Sequence, residues 1–149
     1  MARSVQETVV LAAEPERVWD TVMDPSLLER WVTTHDSYEG AAAGALSEGD
    51  EFTQKLRLAG KSFKVRWRVV EARRPELARW EGEGPAGSTA SVVYRLTAED
   101  GGTRFDYENQ FALPGGAFGK VAGGLLSAAP GAREARKTLE KLRTLLEAS

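Results

Sequence analysis

Residues 115–149 read GGAFGKVAGGLLSAAPGAREARKTLEKLRTLLEAS, and this stretch decides the fold. It contains no strand-type alternation. Leu139, Leu142 and Leu146 recur at steps of three and four, with Ala135 one turn earlier, so an apolar stripe runs along one side of a helix. Arg136, Lys137, Glu140, Lys141, Arg143 and Glu147 take the other positions and give that helix a wet face. Upstream of Pro130 the composition shifts to Ala, Gly and larger apolar residues, with Phe118, Val121, Ala122, Leu125 and Leu126. An apolar stripe has to be buried against something, and most of the preceding chain reads as antiparallel strand. A curved sheet closed by this helix is the expected architecture.

Working outward, Ser4–Leu11 alternates, with Val5, Glu7, Val9 and Leu11 on one side. It reads as a strand whose apolar face carries one carboxylate. Ala13-Glu14-Pro15-Glu16-Arg17-Val18-Trp19 starts a helix, because proline suits the first turn and the glutamates sit at the positive end of the dipole. Val18, Trp19 and Val22 form its buried face. Asp24 and Pro25 supply a cap and a first residue, so a second short helix follows with Leu27, Leu28 and Trp31 inward. Thr33–Tyr38 returns to strand composition, and Gly40–Gly49 is an Ala/Gly-rich turn region.

Phe52, Gln54, Leu56 and Leu58 then share a face, as do Phe63, Val65, Trp67 and Val69 after the turn at 59–61. Pro75 marks another turn before a weaker strand from Leu77 to Gly82 that contains Trp80. Ala90, Val92, Tyr94 and Leu96 form the next inner face. Asp100-Gly101-Gly102 is a hairpin turn, and the last strand places Phe105, Tyr107, Asn109, Phe111 and Leu113 inward. Each strand has an apolar and a polar face, so one side of the sheet is wet and the other covered. The expectation is one α+β domain over 1–149: a curved antiparallel sheet of about seven strands wrapped on a long C-terminal helix, with two short helices after the first strand.

Composition narrows the function classes. A chain of 149 residues can bury roughly 70% of its unfolded surface without staples. The formal net charge of −2 argues against a nucleic-acid binder with a uniformly basic surface. Cysteine is absent, which removes disulfides, thiol nucleophiles and thiolate metal sites. Met1–Leu11 has no apolar run of signal-peptide length, and nowhere do ~18 apolar residues follow one another, so a cytoplasmic location without a transmembrane segment is expected. The glycines form neither a Gly-Lys-Ser/Thr loop nor a spaced Gly-x-Gly-x-x-Gly.

Four stretches carry a resemblance to a known family. They are Ala13–Trp19 with Asp24-Pro25 and Leu28-Glu29-Arg30-Trp31, then Phe63–Val70 leading to Glu71 and Pro75, then Ala78-Arg79-Trp80-Glu81-Gly82, and Gly101-Gly102-Thr103-Arg104 before the final strand. The chain resembles the START-like, or SRPBCC, superfamily with the helix-grip fold, nearest the polyketide cyclase/dehydrase and lipid-transport group. The resemblance implies a cavity between sheet and C-terminal helix that accepts a small hydrophobic molecule such as a lipid, quinone or polyketide. It implies no shared catalytic residue, because the matching motifs are a helix cap, core tryptophans and a hairpin turn.

The residues themselves point to the same place. Trp31, Phe52, Gln54, Leu56, Val65, Trp67, Trp80, Tyr94, Tyr107, Asn109 and Phe111 lie on inner faces, with Leu125 and Leu126 expected from the helix. A mostly apolar lining with a few converging polar groups suits a small-molecule site. Alternation alone does not separate core from cavity wall. Gly119, Gly123 and Gly124 each cost a helix up to about 1 kcal/mol relative to alanine, and Pro130 removes a ladder hydrogen bond. A firm clamp over 132–147 and a mobile gate over the cavity mouth at 118–129 are therefore expected.

Tyr107, Asn109 and Glu7 are the candidate acid–base groups, with Tyr107 suited to donate to a carbonyl or phenol oxygen and Glu7 to serve as a buried base. They define an alternative reading, an aromatase/cyclase acting on a polyketide chain. His35 is the single histidine, in Thr33-Thr34-His35-Asp36. Neighbouring residues on a strand point to opposite faces, so His35 and Asp36 do not orient one another, and His35 reads as a loop histidine. One histidine and no cysteine leave no metal set. Lys55, Arg57, Lys61, Lys64, Arg66 and Arg68 gather on outward faces; a regulatory or RNA- and partner-binding role for them is the second alternative. Long side chains crossing to acidic neighbours on a solvated sheet are the ordinary arrangement. The leading expectation is non-enzymatic binding of a small hydrophobic molecule, without cofactor or metal.

Overall fold

The computed structural model describes residues 2–58, 60–113 and 131–148. In chain order the elements are β1 (Ala2–Leu11), α1 (Pro15–Val22), α2 (Leu28–Trp31), β2 (His35–Glu39), β3 (Glu51–Leu58), β4 (Lys61–Arg73), β5 (Leu77–Glu83), β6 (Thr89–Glu99), β7 (Gly102–Ala112) and α3 (Ala132–Glu147). Among the described residues the strands form one antiparallel sheet in the order β1-β7-β6-β5-β4-β3-β2. The short helices follow the first strand, as the sequence predicts. The strand that looked weakest, β5, is the middle one of the sheet.

Local chemistry explains the breaks. Pro15 opens α1, and Asp24 caps the 3₁₀ turn Pro25–Leu27 by accepting from Ser26 N at 2.9 Å and Ser26 Oγ at 2.7 Å. That turn runs directly into α2. Between β6 and β7 the loop residues Asp100 and Gly101 both adopt positive φ, 46° and 79°, which suits the twist of a two-residue hairpin. The Ala/Gly-rich segment after β2 is tied down by more than turns. Leu46 is buried in it, and its N–H donates to Met23 O at 2.9 Å. β4 runs on to Arg73 past an irregularity between Val69 and Glu71, which lets its register with β5 continue.

The core lies between the inner face of the sheet and the helices. Val5, Val9, Leu11, Val69, Leu96 and Phe105 from the strands meet Val18, Trp19, Val22, Leu28 and Trp31. Ala135, Leu139, Leu142 and Leu146 are the buried positions of α3 together with Thr138, so the predicted stripe is the gripping face. Polar contacts clamp α3 at successive heights. Arg136 Nε donates to Glu7 on β1 at 3.0 Å, Thr138 Oγ1 accepts from Thr33 N at 3.2 Å, and Arg17 Nη2 donates to Leu146 O at 2.8 Å. The last of these places a cation on a carbonyl in the negative final turn of the helix. The proposed gate at 118–129, with Leu125 and Leu126, lies outside the described residues.

Candidate functional site

An apolar cavity of about 80 Å³ sits between the inner sheet face and α3. One water needs roughly 10–15 Å³ measured this way, so the space exceeds a packing defect. Of the residues expected on its wall, Gln54, Leu56, Val65, Trp67 and Trp80 line it from β3, β4 and β5, and Tyr94, Tyr107, Asn109 and Phe111 from β6 and β7. Trp31 and Phe52 are buried but belong to the packed core behind it. Additional wall comes from Leu28, Val32, Thr34 and Val92, and from Glu134, Ala135 and Thr138 of α3. Local sequence does not show the α3 contribution, because Glu134 and Thr138 read as polar flanks of the leucine stripe and Ala135 as part of the stripe that packs on the core.

Gly82 lies behind the wall and makes room for Val65 and Trp67. A Cβ there would stand 2.6 Å from Val65 Cγ1 and 2.7 Å from Trp67 Cε3, so the absent side chain is the space the Trp67 indole occupies. Around it the aromatic rings form a connected set. Trp80 packs edge-on against Phe52 at 5.5 Å, Trp67 at 5.9 Å and Tyr94 at 5.4 Å. Tyr94 stacks on Tyr107 at 6.0 Å and meets Trp31 at 6.1 Å. The indole N–H groups of Trp31 and Trp80 are buried without a hydrogen-bond partner among the described residues.

Two polar groupings interrupt this lining. On β7, Asn109 Nδ2 donates to Tyr107 Oη at 3.0 Å. Burial pushes the Tyr107 phenol above its usual value of 10.0, although the Asn109 hydrogen bond pulls the other way. Burial and the neighbouring Tyr107 push Tyr94 well above it too. Both phenols therefore stay protonated at neutral pH and can donate a hydrogen bond, but neither is a base. Glu7 does not join them. It sits on the inner side of β1, 22% exposed, ion-paired to Arg136 at 3.0 Å, and is not part of the wall.

The other grouping has His35 in it. His35 opens β2 instead of lying in a loop, because Leu56 of β3 gives it a ladder partner. Its Nδ1 lies 2.9 Å from Gln54 Nε2, and Trp67 Nε1 donates to Gln54 Oε1 at 2.8 Å. Asp36 turns away to Lys55 at 3.7 Å, as opposite faces of a strand require. Nothing in local sequence links His35, Gln54 and Trp67, since they meet only across strand pairings.

Burial lowers the His35 pKa below its usual 6.5, with Glu29 of α2 and Asp36 pulling the other way. The unfolded chain therefore takes up this proton at higher pH than the folded one. Stability should be level above pH 6.5, fall as pH drops towards the folded-state value, and level off below it. Urea midpoints of wild type and His35→Gln between pH 7.5 and 5.5, where no other histidine titrates, check this. A wild-type slope that survives the substitution assigns the effect elsewhere.

A larger open groove of about 1060 Å³ lies on the wet face of the sheet. Its charges alternate across the strands: Arg68 stands between Glu51 and Glu81, and Arg66 between Thr53 and Glu83. Lys64 reaches Glu39 at 4.0 Å. Arg66 and Arg68 thus face carboxylates on adjacent strands, whereas Lys55 faces Lys64, Arg57 faces Ser62 and Lys61 faces Leu58. The more apolar lining makes the cavity under α3 the better candidate for a small apolar molecule. Among the described residues no cluster of three or more ligating side chains could hold a metal, and no helix is long and apolar enough to cross a membrane.

A curled antiparallel sheet gripping a C-terminal helix over an apolar cavity defines the helix-grip class. The chain belongs to the family described as polyketide cyclase/dehydrase and lipid transport, whose model matches residues 2–147. It is 26% identical over 100 residues to the uncharacterized protein Rv1546 of Mycobacterium tuberculosis, covering 67% of this chain and 70% of that one. It is 20% identical over 116 residues to Toxin Rv0910 of the same organism, covering 76% and 81%. Protein CV1439 from Chromobacterium violaceum shares the fold with a TM-score of 0.70 at 16% identity, over 97% of this chain and 96% of that one. Ara h 8.0201 does so with a TM-score of 0.68 at 12% identity, over the full length of both.

Proposed function

We propose that this chain binds a small, mostly apolar molecule between the inner sheet face and α3. The observation that carries the reading is the cavity, walled by aromatic and aliphatic side chains and interrupted by Gln54, Tyr94, Tyr107 and Asn109. The family's description, which includes lipid transport, supports it. A ligand that buries about 200 Å² of apolar surface gains roughly 5 kcal/mol before the cost of association, so apolar burial alone supports no better than about submillimolar affinity, and tighter binding needs the polar wall groups as well. Catalysis is not part of this proposal: Gln54, Asn109 and the protonated phenols of Tyr94 and Tyr107 serve as hydrogen-bonding groups, and the one carboxylate of the described wall, Glu134, lies 4.0 Å from Lys137.

The test is direct. Organic extracts of the purified protein, read by mass spectrometry, should contain a bound apolar compound, or the emptied protein should bind N-phenyl-1-naphthylamine saturably at one site. Ala90→Phe, which fills the cavity from β6, should weaken that binding by tenfold or more. Failure to find either an extracted ligand or saturable probe binding removes the reading.

A further inference from the structure

We propose that Gln54 sets the specificity of this cavity, presenting an N–H that favours uncharged ligands with an acceptor oxygen over carboxylates. This rests on the binding reading above and adds to it the chemistry of the molecule bound. Donor and acceptor logic fixes the orientation of the amide. An indole N–H only donates, so the Gln54 atom 2.8 Å from Trp67 Nε1 has to be the oxygen. The nitrogen then faces His35 Nδ1 at 2.9 Å, and since an amide nitrogen only donates, that ring nitrogen accepts. His35 is consequently neutral, with its proton on Nε2.

Turning the amide over would set the Gln54 NH₂ against the Trp67 N–H, two donors at hydrogen-bond distance. The donor-only indole therefore fixes the amide, and the His35 tautomer follows from it. His35 takes one of the two amide hydrogens, and among the described residues nothing accepts the other, on a side chain that lines the cavity and is only 5% exposed. A buried donor of this kind costs free energy until an acceptor meets it.

The surrounding charges act in the same sense. Among the described lining residues the one charged side chain is Glu134, whose cation neighbour Lys137 is 4.0 Å away. Near His35 the charged groups are Glu29 on α2 and Asp36 on β2, and Lys55 on β3 is drawn to Asp36. No lysine or arginine belongs to the described wall, so a carboxylate entering it would be desolvated without a partner. An uncharged carbonyl or ether oxygen meets the Gln54 N–H without that cost.

Three ligands of similar size separate the outcomes: α-tetralone, tetralin and α-naphthoate, each measured by calorimetry on the full chain. Wild type should bind α-tetralone about tenfold more tightly than tetralin, with α-naphthoate the weakest. The Gln54 side-chain amide resonances should move with α-tetralone and stay with tetralin. Gln54→Met should abolish the preference. Because that variant also orphans the Trp67 N–H, Gln54→Glu provides a second one that keeps an acceptor for Trp67, and it too should lose the tetralone preference. Equal binding of α-tetralone and tetralin, or tightest binding of α-naphthoate, overturns the specificity and leaves the cavity reading standing. No binding of any of the three removes both.

Discussion

Trp80→Ala should destabilise the fold by about 3–5 kcal/mol, the usual cost of deleting a buried large aromatic. Trp80 is 2% exposed and lies on the middle strand of the sheet. Its ring contacts Phe52, Trp67 and Tyr94 at 5.4–5.9 Å, so three edge-on aromatic pairs are lost with it. Because the residue also lines the cavity, the hole left by alanine joins that space and does not simply collapse. The variant should therefore regain part of its thermal stability when indole is added, whereas wild type should gain much less. Melting curves with and without indole check both statements, at roughly 2–4 °C per kcal/mol for a chain of this size. A loss below about 1 kcal/mol would mean that the aromatic set tolerates a gap at its centre.

Leu142→Ala should cost about 2–5 kcal/mol for a different reason. Leu142 is fully buried at the centre of the α3 stripe, between Leu139 and Leu146. Its loss weakens the grip of the helix on the sheet, while Glu7–Arg136 and Thr33–Thr138 remain. Lys141→Ala is the control: the residue is exposed on the same helix, and surface changes of this kind stay within about 0.5 kcal/mol. Chemical denaturation of the two variants should differ by at least about 2 kcal/mol. Equal midpoints would show that the stripe does not carry the closure of the fold.

The order of elements and their inner faces were legible in the sequence because the signals are local. Period-two alternation from Phe63 to Val69 and the three-and-four spacing of Leu139, Leu142 and Leu146 each report one element's own geometry. The cap at Asp24-Pro25 and the hairpin at Asp100-Gly101 are likewise local, and both occur where expected. The site was legible only in part. Alternation placed Gln54, Trp67, Tyr94, Tyr107 and Asn109 on the inner side, and they do line the cavity. Alternation gave Phe52 the same reading, and the pattern of the second short helix turned Trp31 inward, yet both pack behind the wall, since facing inward does not say where the interior opens.

Glu7 shows the same limit. Its position on the inner side of β1 was visible, but its role depends on Arg136, 129 residues away, which takes it into an ion pair. His35 was read as a loop residue because its own neighbours say little; a ladder to β3 and the amide of Gln54 give it a place. Arg66 and Arg68, part of the outward basic patch in one dimension, face Glu83 and Glu81 once β5 is laid beside β4.

What the sequence by itself determined is therefore the set of elements, their apolar faces and the helix that closes the sheet, all properties of residues within a few positions of one another. The tertiary structure decided which inward residues meet: Gln54 with His35 and Trp67, Tyr94 with Tyr107, and Gly82 with the Trp67 ring. Those meetings depend on strand register and on the curl of the sheet over α3. A hydrogen bond or a cavity needs both partners in place, and only the folded chain brings them together.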